Sequence, residues 1–221
     1  MQEDKFKSYF NDLQYALREY ERVVARINPY TAALLRPHVN DMEYKLRPGM
    51  ITLTWTSMNI DAYKHHVIGG LQKLEELVSN INDIIENRIE KNLKVVSKTM
   101  LVDLPADESF SLEEFVARQE RHIGRRAAFL QGKNVEIENA VDDLLRLITS
   151  YPLDAHIDPV SEADTLALKR HYNTLMYQAL LQCTKASLNA VKQRVGSRAN
   201  PLGGVPGAAG SAAAAATAAA A

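Results

Sequence analysis

The chain has 221 residues, 46% of them hydrophobic and 24% charged, with a formal net charge of −1. That balance suits a protein able to bury a core, and it supplies no global field to attract nucleic acid or an anionic membrane. A single cysteine, Cys183, excludes an intrachain disulfide, no run approaches the ~18 apolar residues of a membrane span, and Met1 to Lys7 lacks a signal-peptide core; the reading is cytosolic and soluble.

The first element is legible in its spacing. Phe6, Phe10, Leu13, Leu17, Tyr20, Val24 and Ile27 step by four and three alternately, which predicts a helix packed along one stripe. Asn28-Pro29 ends it, and Pro37 restarts or kinks a short helix expected to run to about Leu46. Pro48-Gly49 is a turn signal, and the β-branched stretch from Met50 to Ser57 favours an extended connector laid over the helices. Within it Leu53 and Trp55 are the apolar anchors. A lone tryptophan suits a groove between helices, with a partner hot spot as the alternative.

Asn59 reads as an N-cap, with Met58 and Tyr63 placed as a hydrophobic staple. The helix that follows carries Ile60, Tyr63, Val67, Leu71, Leu74, Val78, Ile81 and Ile85, then Ile89, Leu93 and Val96 less regularly, until Leu104-Pro105 stops it. Ser111 and Glu114 form a capping box. Behind it Val116, Ile123, Leu130, Ile137 and Leu144 recur at intervals of seven, the signature of a long helix in a coiled-coil-like bundle. Ser161 opens a last helix through Leu168, Tyr172, Leu175, Ala179, Cys183, Ala186 and Ala190, with Gly196 as its stop.

The expected fold is therefore all-α, an elongated bundle of about five helices, two or three of them long. Residues 1–198 form the helical segment, either as one body or as two packed bundles over about 1–105 and 106–198. Residues 199–221, rich in alanine and glycine, read as a disordered or loosely helical tail.

No catalytic, cofactor-binding or metal-binding set emerges, and no cofactor is expected. Gly132-Lys133-Asn134 is the nearest approach to a phosphate loop, but alanine stands at position 127, Asn134 replaces Ser or Thr, and the segment lies inside a heptad pattern. The histidines lack ligand spacing, and Cys183 sits at a core position. Arg118, Arg121, Arg125 and Arg126 are interspersed with acids, which describes a solvated face better than a binding patch. The candidates are structural or interaction residues: Pro48, Gly49, Leu53 and Trp55 in the connector, and Ile123, Leu130, Ile137 and Leu144 on the heptad helix. Such stripes can close within the chain or against another chain.

The block Leu46-Arg47-Pro48-Gly49-Met50-Ile51-Thr52-Leu53-Thr54-Trp55-Thr56-Ser57, leading into Asn59-Ile60-Asp61, resembles the N-terminal tail of dynein heavy chains. Val78-Ser79-Asn80-Ile81-Asn82-Asp83-Ile84 and Leu168 to Leu181 extend the likeness, which is strongest to the axonemal outer-arm type and covers about residues 1–198. The resemblance implies a scaffold that associates with other dynein heavy chains and holds dynein intermediate and light chains. It implies indirect attachment to the doublet microtubule, in the cytoplasm, cytoskeleton and cilium axoneme, with no nucleic-acid or membrane partner. In that family the ATPase motor lies far downstream, so this chain is not expected to be an enzyme. The alanine-rich end departs from the family, and the alternative is an unrelated coiled-coil or spectrin-like adaptor.

Overall fold

The computed structural model describes residues 2–51, 60–105, 110–154 and 157–198, and among these every regular element is helical. The elements are α1 (Gln2–Ala25), α2 (Ala32–Ile51), α3 (Ile60–Asp83), a π-helical segment (Ile84–Glu90), α4 (Lys91–Lys98), α5 (Leu112–Ser150) and α6 (Glu162–Arg198). Leu53, Trp55, the Asn59 cap and residues 199–221 lie outside the described residues.

The rod formed by α3, the π segment and α4 is the axis of the molecule. Its first part packs against α1 and α2; its last part packs against α5 and α6. Tyr63, Val67, Leu71, Leu74, Leu77, Val78, Ile81, Ile85 and Ile89 are buried along it. The stripe steps by four from Ile81 through Ile85 and Ile89 to Leu93, and there the hydrogen bonding widens to π. The one extra residue that this wider winding takes up keeps those side chains on the core side where a uniform α-helix would let them drift. Thr99 adopts an extended conformation and its N–H closes on the Val96 carbonyl, so the rod ends at Lys98, before the expected stop at Leu104-Pro105.

On α1 the deepest residues are Ala16 and Val23, with Leu13, Leu17, Tyr20 and Ile27 packed around them; Phe10 is exposed. The stripe read from spacing is thus rotated, and its small member Ala16 lets α3 approach. At the end of α1 the Asn82 side-chain amide donates to the Arg26 carbonyl at 3.0 Å, which gives a helix-terminal acceptor a partner. Asn28 turns the chain by accepting from the Tyr30 N–H at 2.9 Å.

Pro48 and Gly49 do not end α2. The helix runs on to Ile51, past the expected end near Leu46, with Pro37 and Pro48 inside it. The Tyr63 hydroxyl of α3 explains how the end is held: it donates to the Leu46 carbonyl and accepts from the Gly49 N–H, each at 3.0 Å. It supplies polar partners in a stretch where Pro48 contributes no N–H. A Cβ on residue 49 would lie 2.2 Å from that hydroxyl. Glycine is therefore required here for close approach, not for a turn.

The capping box at α5 is complete. The Glu114 N–H donates to Ser111 Oγ at 3.2 Å, and the Ser111 N–H donates to Glu114 Oε2 at 3.0 Å. At α6 the Ala163 N–H donates to Ser161 Oγ at 3.2 Å. Gly196 does not stop that helix, which continues to Arg198.

Candidate interaction surface

The heptad of α5 divides in two. Ile137 and Leu144 are 3% and 0% exposed and lie in the core with Ala140, Val141, Leu145 and Ile148. Leu130 is half-buried against the same core. Ile123 and Val116 are 54% and 47% exposed, and Leu112, one turn earlier, is also on the surface. A single seam thus enters the core at one end and faces solvent at the other.

The cause is the polar ridge that α5 turns inward over its first half. Gln119 is buried, and its amide group bonds to the backbone of Asp103 in both directions: Oε1 accepts from the N–H at 2.9 Å and Nε2 donates to the carbonyl at 2.7 Å. Arg118 Nε donates to the Asp103 carboxylate at 2.6 Å, and its guanidinium lies 5.0 Å from the Phe110 ring centroid. The same guanidinium holds the Asp103 carboxyl below its usual range. Further along, Arg126 Nε donates to His122 Nε2 at 3.3 Å. These groups anchor the 101–105 segment under α5, and the apolar seam is left on the outside. Nothing in the sequence singles out Gln119 beyond its being a polar residue between Val116 and Ile123 of the heptad.

The arginines therefore do not act as one patch, since Arg118 and Arg126 are engaged in the chain. The Gly132-Lys133-Asn134 stretch lies within α5, where Lys133 pairs with Glu136 at 2.7 Å and Asn134 donates to Glu138 at 2.8 Å; its backbone is helical and cannot cradle a phosphate. Cys183 is buried, and burial pushes its thiol pKa up. No group of three or more His, Cys, Asp or Glu side chains converges as a metal site among the described residues. A cleft of about 220 Å³ opens between α5 and α6, lined in part by Ile137, Val141, Lys169 and Tyr172, but Lys169 is already paired with Asp142 at 2.8 Å and no nucleophile and base meet there.

His38 is the most buried of the described histidines. It is 7% exposed, with Asp41 and Lys45 on its own helix and Ile148 and Tyr151 of α5 and its C-cap against it. Neither ring nitrogen makes a hydrogen bond. Burial lowers its pKa, and the Asp41 charge opposes that shift. Lys45 reaches both Asp41 and Asp154, the latter at 3.6 Å.

No helix among the described residues is long and apolar enough to cross a membrane. Over residues 1–63 the chain matches the family described as dynein heavy chain, N-terminal region 1. It is 46% identical over 201 residues to the dynein gamma chain of the flagellar outer arm of Chlamydomonas reinhardtii, an alignment covering 90% of this chain and 4% of that protein. It is 34% identical over 163 residues to dynein axonemal heavy chain 5 of Mus musculus, covering 74% of this chain and 3% of that protein. Dynein axonemal heavy chain 8 of Homo sapiens is 28% identical over 145 residues, covering 66% of this chain and 3% of that protein. The chain spans only a few per cent of the length of these relatives. An unrelated helical adaptor would not show identity of this extent along nearly the whole helical segment. The chain belongs to the axonemal dynein heavy chains and corresponds to their N-terminal region.

Proposed function

We propose that this chain is a tail segment of an axonemal dynein heavy chain, acting as a scaffold in a complex that drives microtubule-based movement of cilia. In this reading it contributes no chemistry; the ATPase motor belongs to the much longer proteins it resembles. The observation that carries the scaffold role is the α5 seam, where Leu112, Val116 and Ile123 are exposed on a helix whose other half is core. An apolar stripe at heptad spacing with no partner among the described residues is the surface a second helix would cover. Another dynein heavy chain, or an intermediate or light chain, is the partner class that the family assignment favours, at the axoneme and indirectly on the doublet microtubule.

The test is recovery of partners from ciliary extract on the tagged chain. Axonemal dynein heavy or intermediate chains are expected with the wild type, and their recovery should fall at least several-fold with Val116→Asp plus Ile123→Asp. Undiminished recovery with that variant would remove the seam from the reading; recovery of no dynein subunit by the wild type would remove the scaffold role itself.

A further inference from the structure

α6 carries a second apolar face, opposite the one it buries. Leu168, Tyr172, Met176, Ala179, Cys183 and Ser187 form the inward ridge. Tyr177, Leu181, Leu188 and Val195 are 66%, 41%, 64% and 64% exposed. With Thr184 and Val191 they step by four and three alternately, so all six lie on one stripe about 27 Å long. A helix needs only one such stripe to join the bundle, and here the second has no cover among the described residues.

The charge along this helix is one-sided. From Thr165 to Arg198 there is no Asp or Glu, while Lys169, Arg170, Lys185, Lys192, Arg194 and Arg198 all occur. Lys185 and Lys192 are one heptad apart, exposed, and at the edge of the apolar stripe by helical position. Neither takes part in an ion pair among the described residues. Arg194 is engaged differently, donating to the Pro105 carbonyl at 2.7 Å. Cations in the last turns complement the helix dipole, but Lys185 lies too far from the C-terminus for that to account for it.

We propose that this face docks an acidic amphipathic helix, whose apolar residues at heptad spacing pack on Tyr177, Leu181, Leu188 and Val195 and whose flanking carboxylates meet Lys185 and Lys192. The apolar stripe supplies affinity, and the two lysines set the choice of partner. The inference does not rest on the dynein reading or on the α5 seam.

The probe is a fluorescent peptide of three heptads with leucine at the seam and glutamate at the flanks, titrated into the full chain by anisotropy. The comparison peptide has lysine at the same flanks. The glutamate peptide is expected to bind at least ten-fold more tightly than the lysine peptide. Lys185→Glu plus Lys192→Glu should invert that order, and Leu181→Ser plus Leu188→Ser should weaken binding at least ten-fold. The lysine substitutions keep the test decisive if the serine variant fails to fold. No preference between the peptides, or binding unchanged in the charge variant, overturns the proposal. So does a dimer by sedimentation that Leu188→Ser dissociates, which would give the face to a second copy. Binding to phosphatidylserine vesicles but not to the glutamate peptide would give it to a lipid surface instead.

Discussion

Val116 and Leu144 occupy the same heptad position of the same helix, yet one stands half in solvent and the other is fully buried. The difference lies in the opposing surface. Near Leu144 the neighbours are the α3 rod and the π segment, which present aliphatic side chains. Near Val116 the neighbour is the 101–105 segment, which presents backbone groups and the Asp103 carboxylate, and α5 answers with Gln119 and Arg118. A heptad states that a helix has an apolar face; it leaves open which face the rest of the chain can use.

The sharpest way to break this contrast is truncation at matched positions. Leu144→Ala should cost about 2–5 kcal/mol, because it leaves a cavity in a packed core. Ile123→Ala should stay within about 0.5 kcal/mol, as exposed positions do. Denaturant unfolding of both variants measures the pair, and equal losses would show that the first half of α5 is buried in solution. Next in size is the cap. Ser111→Ala should cost about 1 kcal/mol, with hydrogen exchange rising over the first turns of α5 and leaving the Leu144 region protected. Uniform loss of protection would mean that the two halves open together.

A smaller effect of opposite sign is expected at Gly124. An added Cβ there meets nothing within 4 Å, so Gly124→Ala should stabilise the isolated chain by roughly 0.5–1 kcal/mol. A destabilisation would mean that a partner or another part of the chain already covers this face. The gentlest test is a slope with pH confined to the buried end. Burial keeps the pKa of His38 below its ordinary 6.5 in the folded chain, so the unfolded chain takes up the proton more readily. Its contribution is therefore intact above about pH 6.5, begins to be lost as pH falls past that value, and is gone below the folded pKa. His171, also lowered by burial, acts in the same direction. His38→Gln should flatten the acid limb of a stability–pH curve, and an unaltered limb would assign the slope to other groups.

Much of the architecture was readable from residue spacing. The Ser111–Glu114 box, the long rod after position 60 and the α5 heptad are local patterns, set by backbone hydrogen bonding and side-chain period. What failed to read was relational. Pro48-Gly49 looks like a turn until Tyr63, fourteen residues on, is seen filling the space beside Gly49 and bonding the backbone there. The second stripe on α6 was hidden because a helix apolar on two opposite faces has no single amphipathic side, and the ridge through Cys183 was sufficient to explain the first. On the interaction surface, Ile137 and Leu144 proved to be core residues while Ile123 is exposed, a division decided by Asp103 and Gln119 across a turn.

The π segment also makes the rod an indexing device. Residues advance an α-helix by about 100° each, so winding Ile84 to Glu90 as ordinary α-helix without shortening the chain would swing everything after it through about that angle. Val96, fully buried in the described chain, would turn away from the core, and the face that α4 offers to α6 would be replaced by another. The half of the molecule before Ile84 would keep its alignment. A change of this one segment from π to α winding is therefore converted into a rotation of one end of the tail against the other, whereas deleting one residue here would leave both ends aligned.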